Sequence, residues 1–116
     1  MVKDWTEERP WGRFKNILDL PQTKVKLIEV YPGKRLSYQS HRQRREAWTV
    51  VEGVARVILD EQEHLLNTGD SLNIPMGAKH RLENYSQNKL LVVEVQTGRF
   101  FGEDDILRYE DDFGRS

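Results

Sequence analysis

From Trp11 to Thr97 the chain runs as short stretches of alternating apolar and polar residues, rich in Val, Ile, Leu, Tyr and Thr and each closed by Gly, Pro, Asn or Asp. A period of two places successive side chains on opposite faces, so the pattern predicts strands. They cover 12–18, 24–31, 35–41, 47–52, 54–59, 63–66, 71–74, 80–85 and 90–97, with breaks at Pro21, Pro32-Gly33, Gly53, Asp60, Asn67-Thr68-Gly69, Pro75-Met76-Gly77 and Ser86-Gln87-Asn88. Nine strands so spaced predict an all-β antiparallel fold of the sandwich, barrel or jelly-roll group. The tail reads differently. Glu103-Asp104-Asp105-Ile106-Leu107-Arg108-Tyr109 opens with acids that would complement a helix dipole, which predicts one short C-terminal helix. A solvated acidic terminus is the plainer account.

With 116 residues the chain has the size of one ordinary domain. A single domain over 1–116 is expected, with its core in 11–97 and an extension over 98–116. Eighteen basic and 19 acidic residues leave a net charge of -1, so no bulk positive field exists to hold nucleic acid. The absence of cysteine removes disulfides, thiolate-bound zinc, iron–sulfur clusters and thiol catalysis. The first nine residues are polar, unlike a secretory signal, and the longest aliphatic run, 90–93, is far shorter than the roughly 20 residues of a membrane span. A cytoplasmic protein that engages no membrane is the expectation.

Three histidines are present. His64 lies in the polar run Glu61-Gln62-Glu63-His64 and is expected on the surface. Gln39 and His41, two apart on an extended segment, aim their donors into one space. A hairpin return could bring the carboxylate of Glu46 to the same place. After the turn Pro75-Met76-Gly77, His80 could supply a fourth donor. Taken alone, each histidine would more often be a surface or structural residue.

These residues resemble the two signatures of the cupin superfamily. The first, G-x5-H-x-H-x4-E-x6-G, reads Gly33, Gln39, His41, Glu46 and Gly53, with Gln39 replacing the first histidine. The second, G-x5-P-x-G-x2-H-x3-N, is matched throughout by Gly69, Pro75, Gly77, His80 and Asn84. At average residue usage the second set arises by chance on the order of once in 10,000 chains or more rarely. Turn formation accounts for its glycines and proline but not for His80. The resemblance implies a cupin double-stranded β-helix, a jelly-roll barrel, with one divalent metal ion on Gln39, His41, Glu46 and His80. One amide, two imidazoles and one carboxylate form a borderline N/O set suited to Zn, Mn, Fe, Co or Ni. Lewis-acid work follows most naturally from it, while the two-His-one-carboxylate subset also suits Fe(II) chemistry.

A narrower resemblance spans nearly the whole chain. Arg9-Pro10-Trp11-Gly12, the run Gln39-Ser40-His41 with Arg44, Glu46 and Trp48, and the ending Gly102 to Ile106 with Arg108 and Gly114-Arg115 look like the type II mannose-6-phosphate isomerase cupin. That family usually forms the C-terminal part of a bifunctional guanylyltransferase. The likeness implies interconversion of mannose 6-phosphate and fructose 6-phosphate through an enediolate. By family match Arg44 would bind phosphate and Arg115 would serve catalysis, with a frayed terminus as the competing account of Arg115. Lys26 and Glu94, on expected strands, are candidates for proton transfer, although a solvent-facing charge is the commoner role for each. Two family histidines are replaced, by Gln43 and Ala47. Because of that change, another cupin enzyme, such as an Fe(II) oxygenase or sugar epimerase, and a non-catalytic sugar- or metabolite-binding cupin stand as alternatives. Trp5, Trp11, Phe14, Phe100, Phe101 and Phe113 cluster toward the two ends; a homodimer interface is one expectation for them and plugging the barrel ends is the other.

Overall fold

The structure is a computed structural model that describes residues 2–110 and 112. Its eleven named strands among those residues are β1 (Glu7–Arg9), β2 (Gly12–Leu20), β3 (Thr23–Val30), β4 (Tyr38–His41), β5 (Arg44–Glu52), β6 (Ala55–Leu59), β7 (Gln62–Leu66), β8 (Ser71–Ile74), β9 (His80–Glu83), β10 (Leu90–Gly98) and β11 (Ile106–Glu110). They form two antiparallel sheets, one in the order β1-β2-β3-β10-β5-β8 and the other β11-β4-β9-β6-β7. Each of the nine expected strands is present within a few residues. The expected hairpin between His41 and Glu46 is not. β4 and β5 lie in different sheets, and residues 42–43 carry the chain across.

Between the sheets lies an apolar core of Ile28, Val30, Trp48, Val50, Val57, Ile74, Leu82, Leu90 and Val92, all less than 5% exposed. It follows from the alternation: 46, 48 and 50 on β5 and 92, 94 and 96 on β10 turn inward. Along both strands the apolar members fill one end of the barrel, and Glu46, Glu94 and Gln96 fill the other. Of the end aromatics, Trp11 is buried and Phe14 packs against the core; Phe100 is 38% exposed, and Phe113 lies outside the described residues. No helix among the described residues is long and apolar enough to cross a membrane.

The expected C-terminal helix is replaced by a single 3-10 turn, Glu103–Asp105, followed by strand β11. The reason lies in Asp105. Its carboxylate accepts the backbone N–H groups of Arg42 and Gln43 at 3.1 and 2.9 Å, which ties the tail to the β4–β5 crossing instead of capping a helix. Residues 106–110 then alternate as a strand does and pair with β4.

The signature glycines and asparagine act through the backbone. Gly53 has φ +93°, and a Cβ there would sit 2.7 Å from the carbonyl oxygen of Lys89. Gly77, with φ +81°, donates its N–H to His41 O at 2.7 Å, which joins the β8–β9 turn to the end of β4. Asn84 is fully buried and donates to the carbonyls of Val30 and Asn88.

Candidate metal centre

His80 opens β9 directly opposite Gln39 on β4, so the two side chains leave the same face at neighbouring positions. His41 is two residues beyond Gln39 on that face. Glu46 reaches the same point from β5 of the opposing sheet. His41, Glu46 and His80 are each at most 3% exposed, and one donor atom from each lies within 4.8 Å of the others. Glu46 Oε2 is 3.5 Å from His41 Nε2, and Glu46 Oε1 is 3.3 Å from His80 Nε2.

Two further observations fit these residues to a cation. Donor atoms around a small divalent ion in a tetrahedral shell lie roughly 3–3.5 Å apart, which the two measured separations match. His80 Nε2 and Glu46 Oε1, 3.3 Å apart, are also buried with no well-formed hydrogen bond, although such groups are rarely left unsatisfied. His80 Nδ1 donates to Ala78 O at 3.0 Å, which fixes the ring and leaves Nε2 to the cluster. Burial pushes His41 down to about 4, so its imidazole is neutral near pH 7, whereas at His80 burial is outweighed by the Glu46 carboxylate, which raises it above its ordinary value. Three members of the expected set, His41, Glu46 and His80, thus gather, and Gln39 stands directly opposite His80. Gln39 faces the neighbouring cavity, and its Oε1 accepts from Ser37 Oγ at 3.3 Å.

Arg44 is built into this cluster. Its Nε donates to Glu46 Oε2 at 3.1 Å, Nη1 to Phe101 O at 2.8 Å, and Nη2 lies 3.2 Å from His41 Nε2. With Nε and Nη1 donating to Glu46 and Phe101, the side chain expected to bind phosphate lies against the cluster, at the wall of the adjoining cavity.

A cavity of about 110 Å³ adjoins the cluster at Glu46 and Arg44; Lys26, Gln39, Glu94 and Arg108 supply much of its remaining polar lining. Lys26 and Glu94 stand directly opposite each other on β3 and β10. Neither faces solvent in the ordinary way: Glu94 is 6% exposed, and Lys26 Nζ lies over the Phe14 ring, 4.5 Å from its centroid. The Glu94 carboxylate is held at both oxygens, by Trp48 Nε1 at 2.9 Å and Gln96 Nε2 at 2.7 Å. Burial, and then the charge of Glu46, push Glu94 up to about 7, while burial pushes Lys26 below its ordinary value.

Among the polar residues of this site, Ser37 and Gln96 carry no role in the sequence, and Arg108 enters only through the family resemblance. Gln96 is two residues from Glu94 and so shares its face, a signal that was available. Arg108 was hidden by the helical reading of the tail. Conversely, Gln43 is exposed in the crossing, and Ala47 lies between the inward Glu46 and Trp48, on the other face of β5. The replaced family histidines therefore remove no group from the cavity. His64 lies partly exposed on β7, outside the cluster. Arg115 lies outside the described residues.

A model of the family described as mannose-6-phosphate isomerase C-terminal matches residues 3–111. The chain is 45% identical over 108 residues to the xanthan biosynthesis protein XanB of Xanthomonas campestris pv. campestris, which covers 93% of this chain and 23% of that protein. It is 44% identical over 107 residues to the mannose-1-phosphate guanylyltransferase ManC of Salmonella typhimurium, covering 92% of this chain and 22% of the relative. The chain thus spans less than a quarter of the length of these curated relatives. Among solved structures, a protein with a double-stranded β-helix domain from Klebsiella pneumoniae superposes with a TM-score of 0.76 at 20% identity, over 95% of this chain and 86% of that one. That likeness speaks for the fold.

Proposed function

The chain belongs to the mannose-6-phosphate isomerase C-terminal family of cupins, and from that premise we propose that it interconverts mannose 6-phosphate and fructose 6-phosphate with one divalent metal ion. The observation that carries the reading is the convergence of His41, Glu46 and His80 beside a cavity in which Lys26 faces Glu94. His41, Glu46 and His80 would hold the ion, with Gln39 as the fourth donor. Bound there, it would act as a Lewis acid toward oxygens of the sugar.

The rest of the chemistry belongs to the chain. Moving hydrogen between C1 and C2 of the open-chain sugar needs one group that takes a proton from one carbon and returns it to the other. Glu94 is that group: a carboxylate raised toward neutrality takes and gives a proton with little penalty either way. Trp48 and Gln96 each leave its oxygens a free lone pair and fix the carboxylate plane. Lys26, opposite, supplies positive charge as Glu94 ionises. The apolar wall of Trp11, Phe14 and Ile28 limits water around the reacting carbons. By the family resemblance alone, Arg115 joins this proposal as a catalytic residue.

The test is a coupled assay on purified, metal-loaded protein with each hexose phosphate in turn. Turnover in both directions is the expected result. Absence of interconversion with metal bound at one equivalent overturns the reading in favour of another cupin enzyme or a non-catalytic binding domain.

A further inference from the structure

Four cations line the cavity, and three of them are committed. Arg44 donates to the Glu46 carboxylate and to Phe101 O, with its third nitrogen 3.2 Å from the His41 ring. Arg9 pairs with Glu7. Lys26 is stacked on Phe14 opposite Glu94. Arg108 is different. It is half-buried on the inner face of β11, its Nε is buried without a hydrogen-bond partner, and it forms no ion pair among the described residues.

An arginine partly removed from water without an anion is costly to keep, and its planar fork fits two oxygens of one phosphate. We infer that Arg108 is the binding residue for the dianionic phosphate of the substrate, on the β11 side of the cavity. The register sets the spacing. Arg108 pairs with Gln39, which pairs with His80, so two strand spacings, roughly 10 Å, separate the backbone of Arg108 from that of the histidine. A hexose chain bearing phosphate on its far carbon can bridge such a span, with its carbonyl end at the cluster and its anion at β11.

The strand is held firmly enough to position the group. Asp105 ties its start to the backbone of residues 42 and 43, Tyr109 shares a 2.8 Å hydrogen bond with Ser40, and Arg81 Nη2 donates to Glu110 O at 3.1 Å. Ile106 and Arg108 face inward while Leu107 and Tyr109 lie more exposed, so the alternation of the strand itself delivers the guanidinium.

This inference rests on the sugar-phosphate reading, and calorimetry separates the two because it needs no turnover. Mannose 6-phosphate, inorganic phosphate, mannose and glucuronate are titrated into the metal-loaded wild type, Arg108→Met and Arg108→Lys, with metal content and melting temperature measured on each. Losing two charge-assisted hydrogen bonds predicts about 10- to 100-fold weaker binding of mannose 6-phosphate to Arg108→Met, with metal content unchanged. Arg108→Lys is expected to keep part of that affinity, and it carries the test if the methionine variant does not fold. If either folded variant binds mannose 6-phosphate as the wild type does, or the wild type binds no phosphate, the assignment is wrong. Glucuronate binding as tight as mannose 6-phosphate and equally dependent on Arg108 overturns it in favour of a carboxylate site. Arg108-dependent phosphate binding without turnover sinks only the isomerase reading; turnover that is indifferent to Arg108 sinks only this one.

Discussion

Glu94 shows how one carboxylate is tuned by its place in a sheet. Directly across β3 stands Lys26 and directly across β5 stands Trp48, so cross-strand register alone surrounds it with a cation and a donor. Glu94→Gln is expected to lower kcat by about 10²–10⁴-fold while metal content stays at the wild-type level. A base must be ionised, so the rate should fall on the acid side of about pH 7, where Glu94 titrates. Lys26→Met removes a charge that favours the ionised form, and that limb should move to higher pH. A limb that stays in place removes Lys26 from the account. The same shift bears on stability. The unfolded chain releases this proton near 4.5 and the folded state near 7, so the group's contribution is complete below 4.5, declines as pH rises between these values, and is lost above 7.

At the scale of elements, the nine central strands were legible because alternation and turn residues agree in each of them. The two outer strands were not. β1 is three residues long, too short for a period to declare itself, and β11 carries acids just before it that read locally as a helix start. Asp105 shows why local reading failed: its carboxylate serves backbone amides more than sixty positions away. Asp105→Ala should therefore destabilise the fold by about 1–3 kcal/mol, since two backbone N–H groups lose a charged acceptor. It should also raise KM more than it lowers kcat, because β11 bears Arg108 and not Glu94. An equal effect on both parameters would contradict that separation. The gathering of His41, Glu46 and His80 was readable from motif spacing, yet the route of Glu46 was not: sequence distance suggests a hairpin, and only the layering of two sheets reveals a crossing.

For the whole molecule, a cation seated among His41, Glu46 and His80 binds the folded state and not the unfolded chain. At a hundredfold excess over Kd, a metal that suits the site should raise Tm by roughly 5–15 °C, and a chelator should reverse the gain. His80→Ala should melt at the same temperature with or without metal; a residual rise would mean that the ion sits elsewhere. The ligands also differ in origin. β4 and β9 belong to one sheet and β5 to the other, so a bound ion would act as a rivet through both walls. Amide hydrogens in the two sheets should then slow their exchange with solvent together when metal is added, including those of β10 and β6, which contribute no ligand. Loading with metal would thus turn two separately breathing layers into a single opening unit.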